Sequence, residues 1–180
     1  MLAKHALQRQ IMHDLCIDQE NRVADAKIDG FDRTILAELQ QNGRLTNNEL
    51  AEQIGLSPSQ CSRRRTRLEE TGLITGYHAA IDRERAGFAL VSIISVTLAT
   101  HTEGNAERFA RLVRASPNIL EAHALTGEMD YSIKVVTEDL NALSDFINGT
   151  LLAHEAVQNV KTAIVLNTVK DTAALPLATG

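Results

Sequence analysis

The chain has 180 residues, 44% of them apolar, and a formal net charge of −5; that bounds it to one domain or two small ones with material for a real core. No run of about 18 apolar residues occurs, so no membrane span is expected, and the opening MLAKHALQRQIMHDL lacks the unbroken apolar stretch of a secretion signal. Cys16 and Cys61 are too few and too far apart to suggest a disulfide framework, so a cytoplasmic protein is expected.

Residues 1–26 form an N-terminal extension in which Leu7, Ile11 and Leu15 recur every four positions. That spacing fits a short amphipathic helix, either a mobile or docking arm or a helix that stabilises a dimer. From Ile28 a clearer stripe runs through Phe31, Ile35, Leu36 and Leu39, with Asp29 placed to cap it and Gly43 placed to take a positive φ at its end. A second helix opens at Thr46, where TNNE is a capping box. Leu50, Ala51 and Ile54 form its inner face, and Gly55 makes the turn.

The third helix starts at Ser57 with Pro58 in its first turn and ends at Thr71-Gly72. A supporting helix followed by two short helices across a tight glycine turn is a helix-turn-helix. The third helix contains Arg63, Arg64, Arg65 and Arg67 within five positions of an acidic chain. Cys61, Arg65 and Leu68 share one face; Gln60, Arg63, Arg64 and Arg67 share the other. Arginine suits phosphate and guanine and glutamine suits adenine, so the second face fits a helix that reads the major groove. The bland alternative is a solvated charged face partnered by Glu69 and Glu70. Arg44, Thr46, Ser57 and Ser59 join Gln60, Arg63, Arg64 and Arg67 as candidate DNA contacts, because helix N-termini also favour phosphate. Arg65 falls on the core side, where its stem could cover the rim with its guanidinium in water. After Gly72, Ile74, Tyr77, Ala79 and Ile81 suggest short strands, a wing or a lead into the next domain.

The DNA-binding domain is thus expected over 27–82, followed by a linker at 83–87. The second half, 88–171, reads as strand Ala89–Leu98, helix Asn105–Ser116, strands Ile119–Thr126 and Tyr131–Thr137, a helix through Leu140 to Leu151, and strand Val157–Val169. Residues 172–180 are left as a tail. The order is βαββαβ, a ferredoxin-like arrangement. Its uncovered sheet face, read as rich in apolar or small residues, needs a second subunit or a ligand. The GEMD turn between the middle strands is either an ordinary hairpin turn or an effector loop. In the second case Gly127 would allow close approach and Asp130 would accept an ammonium group. No catalytic constellation stands out. The six histidines lack metal-ligand spacing, and GxSxG, Walker A and GxGxxG are absent, so no catalytic residue, metal or cofactor is assigned.

Four segments together resemble the Lrp/AsnC, or feast/famine, family of transcription regulators from about Ile28 to Asp171. They are IDGFDRTILAELQQNGRLTNNELAEQIGLSPSQC, RLEETGLITGYHAAID, LTGEMDYSIKV and VKTAIVLNTVKD. The resemblance implies an α+β chain, with a winged helix-turn-helix joined to a ferredoxin-like domain that senses amino acids. It also implies dimers through that domain and octamers of four dimers. Ser57, Pro58, Cys61, Arg64, Arg67, Leu68 and Glu69 match the family's recognition helix; Arg65 stands where an apolar residue is common. It further implies that Gly127, Glu128, Met129, Asp130 and Tyr131 form an effector loop, with Met129 standing where tyrosine is frequent. The expected function is a DNA-binding regulator modulated by a free amino acid or related metabolite. The rivals are an enzyme on the same scaffold, similar to sirohaem decarboxylases, and a co-regulator that binds proteins and not DNA.

Overall fold

The structure, a computed structural model, describes residues 28–171 and 174–177; the helix expected within 1–26 lies outside the described residues. The chain divides into two compact units between Ala80 and Ile81, and the segment from Lys170 groups with the first.

In the first unit, α1 spans Gly30–Gln41, α2 Asn47–Ile54 and α3 Pro58–Glu70. All three begin with reciprocal capping boxes, in which the cap side chain accepts from the third helical amide and the third side chain accepts from the cap amide. The pairs are Asp29–Asp32, Thr46–Glu49 and Ser57–Gln60. Gly55 ends α2 at φ 71°, which turns the chain at once into α3. Ile35, Leu39, Leu45, Leu50, Ala51, Cys61 and Leu68 form the core, and the small Ala51 sits where α2 crosses α3.

Two local expectations are corrected here. Gly43 does not adopt a positive φ, and α1 ends on extended Asn42. What Gly43 provides is space, since a Cβ there would lie 3.2 Å from the Tyr77 ring. The strands expected after Gly72 do not form: residues 75–82 run without strand pairing. The chain returns to this unit through Gln40, whose side chain donates to the Leu175 carbonyl at 3.3 Å and accepts from its amide at 2.6 Å.

The second unit contains β1 Leu90–Leu98, α4 Glu103–Ala115, β2 Ile119–Ala124, β3 Tyr131–Thr137, α5 Leu140–Asp145 with a π-helical continuation Phe146–Leu151, and β4 Val157–Ile164. The sheet order is β2-β3-β1-β4 and every pairing is antiparallel, so βαββαβ closes in the ferredoxin-like way. Alternation on β1 sends Ile94, Val96 and Leu98 into a core with Phe109, Ile133, Val135, Leu143 and Leu151. Phe109 stacks against Tyr131 with ring centroids 4.7 Å apart. Asn105 is buried and donates to the Thr100 and Ala156 carbonyls at 3.0 and 3.1 Å, tying α4 to the approach of β4.

The single helix expected from Leu140 to Leu151 loosens after Asp145. Asn148 bonds the Ser144 carbonyl at 2.9 Å, and the Leu152 amide reaches five residues back to Ile147. β4 is shorter than expected and stops at Ile164. The open sheet face carries apolar or small residues at its middle, as expected, with charged groups beside them. Ile93, Ala163, Ser95 and Ser132 occupy its middle, flanked by Lys161, His123 and a Lys134–Glu121 pair at 2.9 Å.

Phe109 is fully buried at the centre of this core. Phe109→Ala should therefore cost about 3–5 kcal/mol, measured as a lower denaturant midpoint for the second unit.

Candidate nucleic-acid interface and effector loop

The arginine run of α3 is divided by α1. Asp32 is completely buried, although it lies on the apolar stripe beside Ile35 and Leu39. A buried carboxylate costs several kcal/mol unless it is paired and hydrogen-bonded. Asp32 is both: it accepts from the Asp29 amide at 3.1 Å, from Arg64 Nη1 at 2.8 Å and from Arg67 Nη2 at very short range. Arg64 also donates to Asp29 at 2.7 Å and lies over the Phe31 ring, 5.5 Å from its centroid.

This corrects the view of Arg64 and Arg67 as equal members of an outward face. The Arg64 side chain is only 21% exposed and serves as a staple to α1, whereas the Arg67 side chain is 49% exposed with one end fixed. Arg63 is exposed and, among the described residues, has no intramolecular partner in this cluster. Ser57, Ser59, Gln60, Arg44 and Thr46 are exposed as well. The Gln60 side-chain oxygen is engaged in the cap at Ser57, 3.0 Å from its amide, and Ser59 lies 3.1 Å from the Ser57 hydroxyl. These small polar groups therefore gather at the α3 N-terminus.

Arg65 does not hold its guanidinium in water. It donates to the Leu45 carbonyl at 2.9 Å and the Tyr77 hydroxyl at 2.8 Å, and it stacks on the Tyr77 ring at 4.7 Å. Tyr77 in turn donates to Glu69 at 2.8 Å. Burial pushes the Tyr77 phenol upward from its ordinary pKa. This clamp fastens the segment after α3 in the absence of strand pairing.

In the second unit, Asp130 is buried within the loop that ends β2 and begins β3. Its carboxylate accepts from the Leu98 amide at 2.9 Å and lies 3.1 Å from His101 Nε2, while its own amide donates to Val96 at 3.0 Å. Asp130 thus closes the end of β1, with its carboxylate already engaged by groups of this chain. Gly127 and Glu128 are exposed, and Met129 is half-buried with its sulfur 3.5 Å from the Thr97 hydroxyl. Tyr131 turns its ring into the core, where burial and then the Asp130 charge raise its pKa. A cavity of about 280 Å³ lies at the opposite end of β1, among Arg83, Glu84, Ala89, Val91 and residues 165–168. Among the described residues no group of three acidic, histidine or cysteine side chains is arranged to hold a metal ion, and no helix is long and apolar enough to cross a membrane.

Residues 28–75 match a family model described as a winged helix-turn-helix DNA-binding domain, and residues 91–175 match the Lrp/AsnC ligand binding domain. The leucine-responsive regulatory protein of Rhizobium meliloti is 38% identical over 149 residues, covering 83% of this chain and 96% of that protein. The Bkd operon transcriptional regulator of Pseudomonas aeruginosa is 36% identical over 152 residues, covering 84% and 99%. Among solved structures, a transcriptional regulator of Neisseria meningitidis in complex with L-Met superposes with a TM-score of 0.81 at 42% identity, covering 84% and 97%. AsnC of E. coli superposes at 0.75 with 27% identity, covering 82% and 97%.

The Asp32 amide, and after it the Arg64 guanidinium, hold the Asp29 carboxyl below its ordinary value of 3.8. Its contribution to stability is therefore complete above that value and fades as pH falls through the lower folded value. An NMR carboxyl titration should place the Asp29 midpoint below 3.8. Arg64→Met should raise that midpoint without restoring it fully, because the amide bond remains.

Proposed function

The chain belongs to the Lrp/AsnC family of transcriptional regulators, and from that premise we propose which residues read DNA and which region receives an effector. α3 is the helix that enters the major groove. The observation that carries this is its outer face at the N-terminal end, where Ser57, Ser59, Gln60 and Arg63, unpaired among the described residues, stand exposed. Ser57 and Ser59 at the positive end of the helix suit phosphate oxygens, and Arg63 and the Gln60 Nε2 donor suit base edges. Arg44 and Thr46 supply further backbone contacts from the start of α2. Arg67 contributes the part of its fork that Asp32 leaves outward, whereas Arg64 contributes by holding α3 in place.

The second unit takes a free amino acid at the loop of Gly127, Glu128 and Met129. Gly127 gives a ligand room to approach, and Met129 offers a soft apolar surface for a side chain. Asp130 and Tyr131 serve the loop from beneath by fixing its end. The L-Met complex of the Neisseria relative supports an amino acid as the ligand class. A second copy of the chain covers the open sheet face, and two α3 helices in one assembly read a pseudo-palindromic site. The effector changes DNA binding through its different affinity for two assembly states.

The test is a gel-shift assay on the DNA upstream of the protein's own gene, run at several salt concentrations. Arg63→Ala should weaken specific binding by about 1–3 kcal/mol and relax preference at one position. Unchanged affinity in that variant would remove Arg63 from the reading face, and no retardation of any duplex would favour a co-regulator that binds only proteins. The effector loop has its own test in Gly127→Val. A Cβ at Gly127 meets nothing within 4 Å, so the fold and basal DNA binding should persist. Its response to a panel of amino acids that includes L-methionine should disappear; a response equal to the parent's would place the effector elsewhere.

A further inference from the structure

We infer that Asp32, a residue of the supporting helix, is a positioning residue that sets the sequence discrimination of α3. The inference rests on the reading of α3 as the DNA-contacting helix. Its basis is one buried carboxylate shared between two arginines of unequal exposure. An arginine on a long flexible stem can meet any phosphate along the duplex as a simple cation, and such contacts add affinity without sequence information. Reading guanine needs the planar fork held in one orientation.

Asp32 supplies that hold. It sits at 0% exposure, it is fixed by the Asp29 amide, and it grips Arg67 by Nη2 alone. The other guanidinium nitrogens of Arg67 lie on a side chain that is half exposed and in phase with Gln60 and Arg63. The same carboxylate takes Arg64 Nη1, and Asp29 takes that nitrogen too, so Arg64 is tied to α1 with its side chain 21% exposed. One acid therefore withdraws one cation from generic phosphate binding and aligns another. Arg63, one position before Arg64, has no such tether and keeps the freedom of an ordinary surface arginine.

The experiment compares the parent, Asp32→Asn and Arg67→Lys on an upstream DNA site and on an unrelated duplex, each across a salt series, with melting temperatures recorded alongside. Asp32→Asn keeps the shape and the capping acceptor but removes the charge. It should steepen the slope of log K against log salt, by about −0.9 for each arginine released to phosphate. It should also lower the ratio of specific to non-specific affinity about ten-fold. Arg67→Lys keeps the charge and loses the fork, so it should lower the ratio similarly with the slope unchanged. A parent-like slope and ratio in Asp32→Asn, whatever its melting temperature, would reduce Asp32 to a structural group and overturn the inference. If Asp32→Asn does not fold, Arg67→Lys decides alone, and a parent-like ratio in it overturns the inference equally. A parent that retards neither duplex removes the DNA reading itself, an outcome distinct from a parent that binds while its variants behave the same.

Discussion

The helix-turn-helix unit is organised around the need to bury Asp32. A carboxylate on the apolar face of a helix is stable only when charged donors reach it, and here they come from α3. The placement of α3 against α1 is thereby specified by more than apolar contact. Leu68 and Cys61 would tolerate some rotation of the helix, but two guanidinium groups converging on one carboxylate would not. Burial also pushes the Cys61 thiol upward, which leaves it a small apolar side chain in this core and not a nucleophile.

Local signals in the sequence carried most of the fold. TNNE, SPSQ and Gly55 act within four residues of themselves, and all three operate as such patterns require. The β-branched run of β1 and the spacing of α4 fixed their types, with ends displaced by one or two residues. Interactions across distance were harder to read. Helical phase set Arg64 beside Arg63, yet pairing with Asp29 and Asp32, some 32–35 residues earlier, turned it inward. One signal was available: Asp32 interrupts an apolar stripe, and an acid there requires a cationic partner. Gly43 and Arg65 were misread for the same reason. Each answers to Tyr77, and nothing local announces that contact. At Phe146–Leu151 the helix widens to a π turn, with the Asn148 side chain donating to the Ser144 carbonyl, which apolar spacing alone does not reveal.

Asp130 illustrates how a residue can match a family pattern for one reason and be read for another. A Gly-Glu-Met-Asp turn looks like a ligand cradle, and an acid in it looks like the group that meets the ligand. The geometry gives Asp130 the Leu98 amide and His101 as partners, and so joins the loop to the end of β1 and to the segment before α4. Rigid support beneath a loop is a condition for selective binding, because a ligand that must order its own site loses affinity in doing so. Under the proposed reading, exposed Gly127 and Glu128 and half-buried Met129 would meet the ligand, and buried Asp130 would stiffen the loop beneath them.

The charge balance of α3 bears on how strongly a single helix-turn-helix can hold DNA. Of the four arginines between 63 and 67, Arg64 is neutralised by Asp29 and Asp32, Arg65 is held by Glu69 and Tyr77, and Arg67 shares the Asp32 charge. One head therefore offers few cations to phosphate, and its generic attraction to DNA is correspondingly modest. A weak generic term is an advantage for discrimination, since non-specific binding draws on the same phosphate contacts. In the proposed dimer a second α3 held at a matching half-site would bind at high effective concentration, and the gain would be lost where the spacing is wrong. Under that proposal, arginines tied down inside each head would place specificity in geometry, and the coupling of heads would be the natural point for a small ligand to act.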